Sequence, residues 1–233
     1  MPPGVSSEAI LQALVVQKKV GQRKNEMPGA FDIALKGVGK KFNRNWLFKD
    51  LDLSLGEHKK IALVGTNGSG KSTLLRIIAA QSSPSTGKVQ YFIDGKKIPL
   101  DQAYQYISWM GPYIEVFPEL SLEEQFRLHF KFKTPLLSSI EEMIKVLDLW
   151  DDKDKLLNYY SSGMLQRAKV GMAIFTQSKV LMLDEPTSNM DKDNARKILD
   201  LIDKYLGDRI LVLASNMERE YEPIPFKLKL GRA

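Results

Sequence analysis

A chain of 233 residues, 43% hydrophobic and 27% charged, is long enough to bury the core of one α/β domain and too apolar for wholesale disorder. It contains no cysteine, which excludes disulfides, thiolate metal centres and thiol catalysis. Its two histidines, His58 and His129, lie far apart and are expected at the surface, which argues against a histidine-based metal site. The net charge of +6 suits an anionic ligand and leaves contact with an acidic membrane surface open, but no basic–aromatic repeat marks a nucleic-acid groove.

In chain order, Ser7 to Val20 reads as a helix, with Glu8 in its first turn and Ile10, Leu11, Leu14 and Val15 on one face. The polar, breaker-rich run from Gly21 to Gly29 then reads as a linker. Residues 1–29 are therefore expected to form an appendage, either a plain tethered helix or a docking helix for a partner. The main domain is expected over 30–233. Ile33 to Leu35 and Leu47 to Leu55 read as short strands, the second alternating at Leu51, Leu53 and Leu55. Ile61 to Val64 is a continuous apolar run of the kind a buried parallel strand needs. A helix follows over Ser72 to Ala80, then strands over Val89 to Ile93 and Tyr106 to Trp109. Helices are predicted over Leu122 to Phe130, Ser139 to Leu149 and Ser162 to Phe175. A second strand–loop–helix unit spans Val180 to Leu183 and Asn194 to Leu206, and Ile210 to Ala214 is expected to close the series. Strands alternating with helices imply an α/β fold with a mainly parallel sheet covered on both faces. No stretch approaches the ~20 apolar residues that cross a bilayer, and the N-terminus has no apolar signal core. A soluble chain is expected, with any membrane role exerted through a partner.

Gly65-Thr66-Asn67-Gly68-Ser69-Gly70-Lys71-Ser72-Thr73 matches G-x-x-x-x-G-K-[ST], between a buried strand and a helix. Its glycines let the backbone turn tightly and aim N–H groups at phosphate oxygens, and the helix opening at Lys71 adds its positive end. Lys71 suits the β- and γ-phosphates, and Ser72 supplies a hydroxyl for Mg²⁺. The strand Val180 to Leu183 ends in Asp184 and Glu185, which places two carboxylates at the carboxyl edge of the sheet. Asp184 suits the Mg²⁺ site, and Glu185 suits the base that polarises an attacking water.

Between these elements, Tyr160-Ser161-Ser162-Gly163-Met164 precedes a helix. The stretch resembles the Leu-Ser-Gly-Gly-Gln signature of the ATP-binding subunits of ABC transporters, and the likeness in motif order and spacing runs from about Ile33 to Met217. The resemblance implies a P-loop NTPase of ABC type, with an antiparallel β subdomain and a helical subdomain at about 112–168 that carries the signature. It implies a head-to-tail dimer, of two copies or with a paralogue, in which ATP lies between one subunit's P-loop and the other's Ser161, Ser162 and Gly163. It also implies that Phe42 stacks on adenine, with Trp46 as the rival aromatic, and that Asp191 of Ser188-Asn189-Met190-Asp191 communicates between paired sites.

Two positions depart from the family pattern. Pro112 stands where a glutamine is usual, with Glu115 near it in sequence, and Asn216 stands where a histidine is usual. Proline offers no side-chain oxygen, and an amide can donate a hydrogen bond but cannot carry a proton, so slower turnover is expected. The implied function is the ATP-hydrolysing motor subunit of a transporter, closer to small exporter-type ATPases. It would lie on the cytoplasmic face of the cell membrane, docked on a membrane-spanning permease through the region from about Pro112 to Lys133. A soluble ABC-type ATPase, acting as an assembly factor or regulatory nucleotide switch, is the alternative.

Overall fold

The computed structural model describes residues 29–111 and 116–231. The helix expected over Ser7 to Val20 lies outside these described residues, as do Pro112 and Glu115. The elements are, in order, β1 (Phe31–Phe42), β2 (Asn45–Ser54), β3 (Lys60–Val64), α1 (Lys71–Ile78), β4 (Thr86–Ile93), β5 (Lys96–Ile98), α2 (Leu100–Ala103) and β6 (Ile107–Met110). They continue with α3 (Leu122–Phe132), α4 (Ile140–Val146), α5 (Ser162–Ile174), β7 (Val180–Asp184), α6 (Lys192–Leu206), β8 (Ile210–Ser215), α7 (Glu218–Tyr221) and β9 (Phe226–Lys229).

Nine strands form two sheets among the described residues. One is antiparallel with order β2-β1-β4-β5, and the other is parallel with order β6-β7-β8-β3-β9. The parallel sheet is buried on both faces, and the period-2 alternation of its strands sorts side chains between two cores. Leu181, Leu183, Leu211, Leu213 and Ala62 face the core beneath α3 to α6. Val180, Met182, Val212, Ala214, Ile61 and Leu63 face the core shared with α1 and the inner face of the antiparallel sheet. Buried Tyr91 of β4 ties these layers together by donating to Ile78 O at the end of α1, 2.9 Å away.

β1 is longer than the strand expected over Ile33 to Leu35. Its inward side chains are Ile33, Leu35 and then Val38, because register shifts between Leu35 and Val38 at Gly37, whose φ is +58°. That bulge breaks the two-residue period while pairing continues. Gly87 passes so close that a Cβ there would sit 2.2 Å from Gly37 O.

The series does not close at β8. β9 adds an edge strand beside β3, and β5 extends the antiparallel sheet. Both are short, and their exposed lysines interrupt any apolar run. The histidines also differ from expectation. His58 stacks on Phe226 with ring centroids 3.8 Å apart, and partly buried His129 reaches Thr176 Oγ1 at 2.9 Å.

Candidate active site

A cavity of about 670 Å³ opens at the carboxyl ends of β3 and β7, lined by Asn67, Gly68, Gly70, Lys71, Ser72 and Thr73 on one side and by Asp184 and Glu185 on another. The loop after β3 turns through Gly68 and Gly70, with φ of +79° and +102°. These are conformations that side chains with a Cβ rarely adopt. Gly65 is required for a different reason, since a Cβ there would lie 2.5 Å from Leu230 O and from Ser69 Oγ. Thr66 is exposed, and Ser69 is buried beneath the loop. Lys71, only 5% exposed, donates from Nζ to Gly65 O at 2.9 Å and Thr66 O at 3.2 Å. The loop thereby curls around its own ammonium, one of whose three N–H donors remains for a ligand.

Asp184 ends β7 at 4% exposure, and its Oδ2 has no hydrogen-bond partner among the described residues. Burial raises its pKa above the usual carboxylate value; a hydrogen bond with the Ser72 side chain opposes the rise, and the neighbouring Glu185 charge adds to it. A buried, unpartnered carboxylate oxygen beside a serine hydroxyl is an all-oxygen donor set that fits Mg²⁺. Among the described residues no group of three or more His, Asp or Glu side chains could hold a metal. Ser72 and Asp184 alone suit a cation that keeps most of its coordination for phosphate and water.

Glu185 follows with φ +50°, its N–H donating to Ala214 O at 2.8 Å. A non-glycine residue in this left-handed turn stores local strain at the carboxylate-bearing corner. Its carbonyl accepts from Gln166 Nε2 at 2.9 Å, and the same amide donates to Pro186 O and Ser188 Oγ. A second tie comes from α7, where buried Glu220 accepts from Thr187 N at 2.9 Å and from the Thr187 hydroxyl.

The remaining expected residues fall at different distances from this centre. Phe42, 56% exposed, sits at the cavity rim with Lys40 Nζ 5.4 Å from its ring centroid. Trp46 instead packs under Lys41 and Lys49, 5.5 and 4.9 Å from its ring, and does not line the cavity. Asn216 is exposed and donates from Nδ2 to Asn67 Oδ1 at 2.7 Å, so the end of β8 meets the P-loop. Ser161 caps α5 by accepting from Met164 N at 3.2 Å. Ser161, Ser162 and Gly163 do not line their own chain's cavity; the first two are exposed, and Gly163 approaches Asn189 O. Asp191 caps α6, accepting from Asn194 N at 2.9 Å and Nδ2 at 2.6 Å, and these bonds hold its pKa below the ordinary value. Gln166, Lys169 and Met110 also line the cavity and escaped the sequence reading. The available signal was the pair Gln166 and Lys169 at i, i+3, on one face of α5.

Residues 48–188 match the family model described as ABC transporter. The chain is 32% identical over 176 residues to the Fe(3+) ions import ATP-binding protein FbpC of Photorhabdus laumondii, a match covering 73% of this chain and 49% of that protein. It is 31% identical over 178 residues to the phospholipid-transporting ATPase ABCA3 of Mus musculus, covering 74% of this chain and 10% of that one. The chain thus spans about half, or less, of the length of these curated relatives. Among solved structures, the dimeric post-hydrolysis state of the ATP-binding cassette MJ0796 bound to ADP and Pi matches with a TM-score of 0.72 at 24% identity, over 85% of this chain and 94% of that one. A bacterial Atm1-family ABC exporter with ATP bound matches with a TM-score of 0.74 at 17% identity, over 96% of this chain and 42% of that one. At these identities the structural likeness establishes the fold.

Proposed function

Because this chain belongs to the ABC transporter ATP-binding family, we propose that it binds Mg-ATP in the P-loop cavity and hydrolyses it as the motor subunit of a transporter. The observation that carries this reading is the convergence of Lys71, Ser72, unpartnered Asp184 Oδ2 and Glu185 on one cavity. Lys71 and the P-loop N–H groups hold the β- and γ-phosphates, and Phe42 at the rim covers the base. Ser72 and Asp184 hold Mg²⁺, which when bound offsets charge on the phosphate oxygens. Glu185 accepts the proton of the attacking water as its oxygen bonds to the γ-phosphorus and the bond to the leaving ADP oxygen breaks. Asn216 donates to the γ-phosphate from the neighbouring strand end.

Ser161, Ser162 and Gly163 serve a second ATP-binding chain's nucleotide, so the complete site needs two chains. Residues 30–233 form the ATP-binding domain, with its helical part at about 112–168, and 1–29 an appendage. A membrane-spanning permease docks near the region up to Lys133 and holds the chain at the cytoplasmic face of the membrane. Among the described residues no helix is long and apolar enough to cross a membrane. The test is Mg-dependent phosphate release by wild type and Glu185→Gln. Wild type should turn over, and the variant should lose about 10²-fold or more while still binding ATP. Equal rates would place the base elsewhere, and no release from either would remove the ATPase reading.

A further inference from the structure

Helix α5 brings a second ammonium to the cleft. Lys169 stands one turn after Gln166 on the same face of α5, and both line the cavity that holds Lys71, Asp184 and Glu185. Gln166 fixes that face by its bonds to Glu185 O, Pro186 O and Ser188 Oγ. The neighbours Ala168, Val170 and Gly171 are buried, so the backbone that carries Lys169 is held in place. Lys169 is half-buried and has no hydrogen bond or ion pair with any of the described residues, although two carboxylates line the same cavity. The contrast with Arg167, two residues earlier, is informative. Its guanidinium is committed to Leu147 O at 3.1 Å and Asp148 O at 3.0 Å and serves the helical packing. A partly desolvated cation without a counter-charge is unfavourable unless an anion completes its site.

The cavity also has a polarity. Phe42 and Leu47 supply apolar surface suited to a base, whereas Gln166, one turn before Lys169 on α5, is bonded to Glu185 O and Ser188 Oγ. We propose that Lys169 is a phosphate-binding residue of the cleft, whose ammonium engages the terminal phosphate of the bound nucleotide from the α5 wall while Lys71 engages it from the P-loop. This assignment rests on the nucleotide reading of the cavity. As charge builds on the γ-phosphoryl oxygens during hydrolysis, a fixed cation there stabilises the transition state, so Lys169 contributes to turnover as well as to affinity.

The experiment compares full-length wild type, Lys169→Ala, Lys169→Met and Lys169→Arg by titration with Mg²⁺ and either ADP or the β,γ-imido analogue of ATP. Met keeps the apolar stem without the charge, and Arg keeps the charge. Ala and Met should weaken the triphosphate analogue about tenfold or more, the worth of a charge-assisted hydrogen bond. ADP affinity should be unchanged, and Arg should restore triphosphate binding. Equal weakening of ADP and analogue would overturn the proposal, because a merely structural lysine disturbs both. Unchanged affinity for both in Ala and Met would overturn it as well. A wild type that binds neither ligand would instead remove the nucleotide reading, and this assignment with it.

Discussion

Asn216 and Asn67 meet through one hydrogen bond of 2.7 Å between residues 149 positions apart, at the point where β8 and the P-loop come together. The amide of Asn216 donates, so Asn67 Oδ1 is held and the loop's cavity-facing edge is positioned with it. Removing a transition-state donor at a phosphoryl centre costs on the order of 10²–10³ in rate, and a neutral amide should matter less than a charged one. Asn216→Ala is therefore expected to slow Mg-ATP turnover roughly tenfold with little change in ATP affinity. Asn67→Ala should have a similar effect, and the double variant should be no slower than either single one, the mark of two residues acting as a unit. Additive losses in steady-state phosphate release would show that they act separately. Asn216→His should raise turnover if imidazole fits beside Asn67, and a slower histidine variant would show a site adapted to the amide.

His129 supplies a pH prediction of its own. Burial, with the Lys133 charge adding to it, lowers its pKa from 6.5 to about 4. Thr176 Oγ1 donates to Met172 O, so it accepts from His129 Nε2, a bond the neutral ring makes. Between these two pKa values the unfolded chain binds more protons than the folded one. The stabilisation from keeping His129 neutral is thus complete above about pH 6.5 and is lost as pH falls towards 4. Thermal melts should show a drop in Tm from pH 7 to pH 5 that is distinctly smaller in His129→Gln, which keeps a donor without a titratable ring. Parallel curves would mean that other groups set the acid sensitivity.

Among the elements, α5 has several roles along its length. Its first turn exposes Ser161 and Ser162, its middle presents Gln166 and Lys169 to the cavity, and its last turn is tied down by Arg209. The buried Arg209 guanidinium donates to Ile174 O at 2.9 Å and Thr176 O at 3.1 Å, and also to Tyr205 O and Leu206 O. It therefore satisfies carbonyls at the ends of both α5 and α6, which have no intrahelical partners. Burial pulls its pKa down to about 10, so it stays charged at neutral pH. Arg209→Met should cost about 2–3 kcal/mol in denaturant unfolding, since buried carbonyls would be left unpaired. A loss below about 0.5 kcal/mol, the range of an ordinary surface substitution, would contradict that role.

At the scale of the whole molecule, the parallel sheet was legible because strands buried on both faces leave continuous apolar runs such as Val180 to Leu183. The P-loop and the carboxylates at the end of β7 were legible because their chemistry is compact in sequence. β9 and β5 were not, because short strands bearing exposed lysines carry no run or alternation long enough to read. The extent of β1 was hidden by the Gly37 bulge, which breaks the period without ending the pairing. The cavity's second wall was hidden for another reason. Gln166 and Lys169 reach the cavity only through tertiary packing, which local periodicity does not encode.

The same packing leaves Ser161, Ser162 and Gly163 away from their own cavity, so under the proposed function two chains complete one site. That requirement is tested by light scattering on Glu185→Gln with Mg-ATP, Mg-ADP or no nucleotide, over a range of protein concentrations. Mg-ATP should shift the mass from one chain to two while Mg-ADP does not, and Ser161→Ala combined with Gly163→Asp should abolish the shift. ATP bound at the mass of a single chain throughout that range would contradict that requirement.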